Sequence, residues 1–226
     1  GTATHGFYGY AESQNNQINL GAIHAYQNNG YDTEIARGEG MLIAVLDAGF
    51  VGANSVNIND NLNILTTRNF VEGGIDVYQG SSHGFSVLST MATFKRDFYV
   101  GTAPEATYAL IKTEKELSET PEEMFNWIAG AEFADSIGAD IINSSLGYST
   151  FDDPADDYTV NDLDGRTSII SLGALAAART GMLVVTSAGN AGGSAWDKIT
   201  FPADADSILT VGSVNQYGMA SAFSSR

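Results

Sequence analysis

The sequence predicts an α/β fold with three layers, αβα, around a mainly parallel central sheet. Short apolar runs rich in β-branched residues alternate with longer runs of helical periodicity, which is typical of βαβ units. The short runs are almost continuously apolar, as expected for strands of a sheet that is covered on both faces. The chain has 226 residues, 43% of them hydrophobic, and neither an internal repeat nor a linker-like segment divides it. We therefore expect a single domain over residues 1–226.

The individual elements follow from these runs. The clearest helix has a candidate N-cap at Thr120, a proline at its first position, Pro121, and a glycine just past its end, Gly138. The predicted strands cover residues 41–46, 63–66, 108–112, 140–143, 183–186 and 208–211. The predicted helices cover residues 85–94, 121–137 and 167–179.

Two segments lie outside this alternation. The first segment is an N-terminal arm, residues 1–39, that precedes a core spanning residues 40–226. Within the arm, the pattern of residues 11–29 predicts a helix packed on the surface of the core. Their apolar side chains at roughly helical spacing are Ile18, Leu20, Ile23 and Tyr26. Residues 151–164 contain six aspartates and little periodicity, which predicts an acidic loop.

The composition excludes several classes of function. Ten basic and 27 acidic residues give a formal net charge of −17, which repels phosphate backbones and anionic lipid, so we expect no nucleic-acid partner. The chain has no cysteine, and hence no disulfide, thiolate metal site or cysteine nucleophile. No run approaches 18 apolar residues, which predicts no membrane span. The first nine residues lack the basic and apolar regions of a signal peptide, which predicts a cytosolic or an already processed chain.

Polar and small residues follow three of the predicted strands. They are Asp47-Ala48-Gly49, Asn143-Ser144-Ser145-Leu146-Gly147 and Ser187-Ala188-Gly189-Asn190. In an open parallel sheet, ligands and catalytic groups gather beyond the carboxyl ends of the strands. A strand-ending aspartate is, on its own, more often a turn former or a helix cap.

A general base would have to come from three histidines. His5 lies in an unpatterned segment, and His24 lies among apolar residues, where a structural histidine is the better interpretation. His83 precedes a helical run in a polar setting, and an imidazole exchanges protons near neutral pH. A surface histidine at the start of a helix would have the same pattern, so this motif alone leaves both interpretations open.

The order of the motifs is more specific than any one of them. Asp47-Ala48-Gly49, Ser82-His83-Gly84, the two strand-end segments above, Phe201-Pro202-Ala203 and Phe223-Ser224-Ser225 follow one another along the chain. In this order they resemble the subtilisin-like serine peptidase family from about residue 40 to Arg226. The resemblance implies a subtilisin-like fold that is incomplete at its C-terminus, and peptide hydrolysis through an Asp, His and Ser triad.

Each role is carried over on the matching position. Asp47 matches the aspartate that orients the imidazole, His83 the general base, and Asn190 the amide that donates into the oxyanion hole. Ser145, Leu146 and Gly147 match the segment that pairs with the substrate backbone and walls the specificity pocket. Ser187, Ala188 and Gly189 are the remaining residues assigned to substrate binding. The implied ligand is an extended polypeptide.

Three features depart from the family pattern. Ala48 replaces a hydroxyl residue, and Phe85 replaces a threonine after His-Gly, which puts the packing around His83 in question. The third is larger, because the family's serine lies in a Gly-Thr-Ser motif that occurs nowhere in the 226 residues. Ser224 and Ser225 match a structural stretch and are not assigned as nucleophiles. We therefore expect the serine to lie beyond Arg226.

Several expectations follow from that absence. The piece alone should be almost inactive, because triad members act as a unit, and it should stay bound to the missing C-terminal part of its domain. By family analogy the protein is secreted or displayed at the cell surface. No cofactor is required. Calcium at residues 161–165 is a weaker alternative to a solvated acidic loop.

Other classes of function have less support. No phosphate-binding glycine motif and no His-Glu-x-x-His zinc motif occurs. The serious alternative is a catalytically inactive protein that binds peptides in the same groove. The residue aligned with the nucleophile would distinguish the two, since a serine indicates the enzyme and an alanine or glycine the binding protein.

Overall fold

The central element is a six-stranded, wholly parallel sheet with the strand order β2-β5-β1-β6-β7-β8. The computed structural model describes residues 6–24 and 36–226. The sheet strands are β1 (Leu42–Asp47), β2 (Asn63–Asn69), β5 (Thr107–Lys112), β6 (Ile141–Ser144), β7 (Leu183–Ser187) and β8 (Leu209–Val211). All six predicted strands are therefore confirmed, each within a few residues of its predicted ends.

Helices cover both faces of the sheet, as predicted. The helices are α1 (Glu12–Gln17), α2 (Leu20–Ile23), α3 (His83–Ala92), α4 (Pro121–Ser136) and α5 (Ile169–Arg179). Ala44 and Leu46 of β1 pack with buried residues of α4 and α5, whereas Ile43 and Val45 pack with those of α3. Because successive strand residues point to opposite faces, an apolar run such as β1 contributes side chains to both hydrophobic clusters.

The register of the sheet brings strand ends together at one edge. β1 lies between β5 and β6, with Asp47 opposite Lys112 and Leu46 opposite Ser144. Trp127 is fully buried, and its indole N–H donates to Ser144 Oγ over 2.9 Å, which fixes α4 against the end of β6. Residues that follow β1, β5, β6 and β7 are consequently neighbours at the carboxyl edge of the sheet.

The prediction of one surface helix over residues 11–29 was wrong for its described part, residues 11–24. Two short helices are separated at Asn19, whose φ of +54° lies in the left-handed region and ends the helical path. Ile18 and Ile23 are mostly exposed, and only Leu20 of the described part of that face is buried. Tyr26, like His5, lies outside the described residues.

Other ends differ in detail. Helix α3 begins two residues early and ends at Ala92, because the chain then enters a short antiparallel hairpin of β3 (Phe94–Lys95) and β4 (Tyr99–Val100) that was not predicted. Thr120 precedes α4 but makes no capping hydrogen bond through its side chain, while Gly138 has a φ of +76° just past the helix. No helix within residues 6–24 and 36–226 has the length and apolarity to cross a membrane.

Candidate active site

The carboxylate of Asp47 lies at the end of the strand nearest the middle of the sheet. The side chain is fully buried, and Oδ1 accepts a hydrogen bond from the N–H of Ala48 over 2.8 Å. Gly49 follows with a φ of +147°, a conformation that favours glycine, and this turns the chain away from the sheet. Strand β1 thus presents one buried carboxylate at its carboxyl end.

His83 is the first residue of α3, and that helix begins directly against the end of β1. The N–H of Gly84 donates to Gly49 O over 3.0 Å. A Cβ atom on Gly84 would lie 2.6 Å from Gly49 O and 2.8 Å from Asp47 Cβ, so no larger residue fits between helix and strand. This close approach places His83 Nδ1 2.8 Å from Asp47 Oδ1 and 3.0 Å from Oδ2.

The electrostatics of this pair suit proton transfer. The hydrogen bond that His83 donates to Asp47 raises the pKa of His83, with burial of the ring opposing it. Burial raises the pKa of Asp47, and the contacts with His83 oppose that rise. Because Nδ1 donates to the carboxylate, Nε2 of the neutral ring is the acceptor, and the half-exposed side chain leaves that atom within reach of a ligand.

Phe85 does not disturb the pair. The ring of Phe85 lies over Gly52, where a Cβ atom would come within 2.9 Å of it, and it packs on the core beneath α3. The bulky residue is therefore accommodated in the core while the bond between His83 and Asp47 is kept.

A third titratable group near the pair was not predicted. Glu114 lies two residues beyond β5, and its Oε2 accepts a hydrogen bond from the hydroxyl of Tyr148 over 3.2 Å. Burial, together with the charges of Glu119 and Glu123, raises the pKa of Glu114 to about 8. When ionised, Glu114 adds to the rise in the pKa of His83. Glu114 could have been predicted in the same way as Asp47, because both lie at the carboxyl ends of parallel strands.

Asn190 lies at the same edge, in the turn after β7. Gly189 has a φ of +103°, and the Asn190 side chain is exposed and makes no hydrogen bond to the described residues. Its carboxamide N–H groups are therefore free to donate to a ligand.

The six residues assigned to substrate binding form two adjacent strand-end segments, residues 145–147 after β6 and residues 187–189 at the end of β7. Ser187 Oγ donates to Leu146 O over 3.3 Å, which joins the segments. Backbone N–H groups of residues 145–147 make no hydrogen bond within the described chain. An extended peptide can therefore pair with this segment by strand addition.

Thr200 lies between these two segments and was missed in the sequence. Its Oγ1 is the atom nearest to a Cβ placed on either Gly147 or Gly189. Nothing in the local pattern at residue 200 marks it, because its position depends on the long loop between β7 and β8.

Ser224 and Ser225 are buried and hydrogen-bonded to backbone. Ser224 Oγ accepts from the N–H of Ser213 over 3.0 Å, and Ser225 Oγ accepts from the N–H of Ala191 over 3.0 Å. The Ser225 hydroxyl thereby holds the segment after β8 against the loop that carries Asn190, whereas the Ser224 hydroxyl joins two parts of the segment after β8.

The acidic segment, residues 151–164, forms a loop as predicted. It contains two 3-10 turns, Pro154–Asp156 and Val160–Asp162. Asp162 Oδ2 accepts from the N–H and the hydroxyl of Thr159, and Asp164 Oδ1 accepts from two backbone N–H groups. Within residues 6–24 and 36–226, no group of three or more His, Cys, Asp or Glu side chains is arranged to hold a metal ion. These carboxylates act as turn caps.

A family model and several known proteins match most of the chain. A model of the subtilase family matches residues 38–226. Subtilisin DY of Bacillus licheniformis is 28% identical over 192 residues, which are 84% of this chain and 62% of that protein. The minor extracellular protease Vpr of Bacillus subtilis is 28% identical over 195 residues, 80% of this chain and 22% of that protein. The chain thus spans less than two thirds of each.

Solved structures show the same fold. The prenylagaramide maturation protease PagA superimposes with a TM-score of 0.64 and 20% identity, over 91% of this chain and 62% of that chain. The predicted subtilisin-like, three-layer architecture is therefore confirmed.

Proposed function

Since the chain belongs to the subtilase family, we propose that it is the N-terminal part of the catalytic domain of a serine endopeptidase. The observation that carries the proposal is the hydrogen bond between the buried Asp47 carboxylate and Nδ1 of His83 at the carboxyl edge of the sheet. A nucleophilic serine would come from chain beyond Arg226, in the Gly-Thr-Ser motif that resemblance to the family implies.

In this proposal His83 transfers one proton during acylation and another during hydrolysis of the ester. Nε2 accepts the proton of the serine hydroxyl as the serine oxygen attacks the peptide carbonyl. It then donates this proton to the leaving amine when the C–N bond breaks. Water then hydrolyses the ester by the same route. Asp47 holds the ring in the required tautomer and stabilises the imidazolium, and Asn190 donates to the oxyanion.

The substrate is an extended polypeptide. Its backbone pairs with residues 145–147, whose N–H groups have no other partner in the described chain, and residues 187–189 form the opposite wall. The side chain of the residue whose carbonyl is attacked lies between the two segments, because Asn190 directly follows Gly189.

The remainder of the domain is the proposed partner of this chain. Leu209 and Val211 of the edge strand β8, and Val214 and Phe223 after it, are about half exposed and leave apolar surface in contact with solvent. A C-terminal segment covering this surface would complete the site and remove the exposed apolar area from water. Secretion or surface display is proposed by analogy with the family.

The proposed chemistry needs no cofactor, since protein groups supply the base, the acid and the oxyanion donor. Calcium binding at residues 161–165 stays the weaker alternative, because Asp162 and Asp164 already accept hydrogen bonds from their own turns. A calcium-dependent rise in melting temperature that is lost in Asp162→Ala and Asp164→Ala would reverse that preference.

The test uses the full-length protein and a fluorophosphonate probe, which reacts with activated serines. We expect labelling and hydrolysis of an unstructured protein substrate such as casein, both lost in His83→Ala. The 226-residue chain alone should show neither. Peptide binding without labelling would instead identify a catalytically inactive peptide-binding protein, and the absence of both would overturn the proposal.

A further inference from the structure

Glu114 lies at the same edge of the sheet as the pair of Asp47 and His83. The N–H of Thr113 donates to Asp47 O over 3.0 Å, which ties the chain after β5 to the end of β1. Glu114 is the next residue along the chain. His83 Nδ1 lies 2.8 Å from Asp47 Oδ1 at this same strand end. The backbone that carries Glu114 and the imidazole of His83 are therefore both anchored to Asp47.

The surroundings of Glu114 delay its ionisation. Burial and the charges of Glu119, Glu123 and Asp47 raise the pKa of Glu114 to about 8. Glu123 is itself fully buried in the first turn of α4. The hydroxyl of Tyr148, a fully buried residue, donates to Glu114 Oε2 over 3.2 Å and favours the ionised form. Glu114 therefore gains its negative charge only in mildly alkaline solution.

No lysine or arginine side chain compensates this charge. Glu114 forms no ion pair within residues 6–24 and 36–226. The two lysines nearest to it in sequence pair with other carboxylates, Lys112 with Glu72 and Lys115 with Glu122, each over 3.0 Å. The hydrogen bond to Asp47 is the largest cause of the raised pKa of His83, and the charge of Glu114 adds to it. The cation that Glu114 can stabilise is therefore the His83 imidazolium.

We propose that Glu114 is a positioning residue for the general base, and that its carboxylate stabilises the imidazolium of His83 in the transition state. This inference rests on the proposed function, since it assigns Glu114 a part in proton transfer through His83. Glu114 passes no proton to the substrate, and it acts only after it has lost its own proton to solvent. The carboxylate then attracts a positive charge that is present only while the ring holds the serine proton, so it favours the transition state over the ground state.

The contribution of Glu114 to the rate should depend on pH. Well below pH 8 the carboxyl is protonated and neutral, and it contributes nothing; as the pH rises through about 8 it ionises, and the rate should rise. A nearby opposite charge changes a protonation equilibrium by about 10 to 1,000-fold. We expect the lower limit, about 10-fold, because the His83 side chain is half exposed and solvent screens the interaction.

The Glu114→Gln variant of the full-length protein tests the proposal, because glutamine has the shape of the neutral carboxyl and cannot ionise. Casein hydrolysis at low substrate concentration gives relative kcat/KM values between about pH 6 and pH 9.5. The natural and variant rates should agree within about twofold at the acidic end, and the natural rate should be about 10-fold higher at the alkaline end. An NMR titration should give His83 a lower pKa in the variant. Glu132→Gln, at an exposed position in the second half of α4, removes the same charge and should change neither result.

Two neighbours of Glu114 should shift the pH at which the rate rises, in opposite directions. Tyr148→Phe removes the hydroxyl that stabilises the ionised carboxylate, so the rise should occur at a higher pH than in the natural protein. Glu119→Gln removes a charge that opposes ionisation, so the rise should occur at a lower pH. These shifts test the proposal even if Glu114→Gln does not fold.

A constant ratio of natural to Glu114→Gln rates across the pH range would overturn the proposal, because a purely structural role does not depend on ionisation. An unchanged titration of His83 in the folded variant would overturn it as well, as would the absence of a shift in both neighbour variants. If the full-length protein shows neither fluorophosphonate labelling nor casein hydrolysis, the proposed function fails, and the titration of His83 alone then decides whether Glu114 acts on the imidazole.

Discussion

Substituting Gly84 by alanine should separate the two groups of the candidate proton relay. Gly84 is the second residue of α3 and does not have a positive φ, so only its contacts forbid a side chain. The new Cβ would lie 2.6 Å from Gly49 O and 2.8 Å from Asp47 Cβ, and reaching van der Waals separation requires about 1 Å of movement. The same movement would lengthen the 2.8 Å bond between His83 and Asp47 beyond hydrogen-bond distance.

Two magnitudes follow from this geometry. Overpacking of this kind costs about 1 to 3 kcal/mol, which for a domain of this size lowers the melting temperature by about 2 to 12 °C. A displacement of about 1 Å at a catalytic group costs on the order of 100-fold in rate for the full-length protein. The pKa of His83 should fall, because its bond to Asp47 is the largest cause of the rise.

The assays are thermal unfolding by circular dichroism and an NMR titration of the His83 ring. Gly21→Ala is the matched control, because a Cβ atom at this glycine in α2 meets nothing within 4 Å. The control should leave the melting temperature unchanged or slightly higher. If Gly84→Ala has the melting temperature of the control and His83 keeps its natural titration, the close approach of α3 to β1 does not hold the pair together.

Three further predictions test single interactions. Asp47→Asn should lower the pKa of His83 in an NMR titration, because it removes both contributions of Asp47 that raise it; an unchanged titration would contradict the hydrogen bond. Trp127→Phe should cost about 1 to 3 kcal/mol in urea unfolding, because it leaves the buried Ser144 hydroxyl without its donor, and adding Ser144→Ala should recover part of that loss. Burial lowers the pKa of His24 below 6.5 in the fold, so the unfolded chain binds the proton first. His24 should therefore contribute its full stability above pH 6.5 and lose it as the pH falls below that value. Between pH 7.5 and pH 5.5 the melting temperature of the natural chain should fall relative to that of a His24→Gln variant, and parallel changes in the two proteins would contradict the assignment.

Local patterns predicted the elements wherever the pattern and the tertiary environment agree. The apolar run at β1 is read correctly because burial on both faces requires no alternation. The surface helix at residues 11–29 was misread, because the spacing of Ile18 and Ile23 suggested burial whereas both are mostly exposed. Helix α3 was placed two residues late, since the contact of Gly84 with β1, and not a capping residue, sets where it begins.

The sequence predicted those residues of the candidate site that lie at the ends of predicted strands. Asp47 and Asn190 follow strands whose parallel order brings their ends to one edge. Glu114 obeys the same rule and was overlooked. Thr200 follows no strand and could not be found this way, because its own hydrogen bond to Ala188 and those of Phe201 with Tyr148 position it.

The sequence by itself determined the alternation of strands and helices, the family resemblance and the identity of the carboxylate, imidazole and amide, because each depends on residue type and local order. The tertiary structure decided which groups touch. Contact between His83 and Asp47, 36 residues apart, requires the glycine-mediated approach of a helix to a strand. The position of Thr200 between residues 145–147 and residues 187–189 likewise requires a chain crossing between two strand ends. Such distances depend on packing between segments that no local pattern encodes.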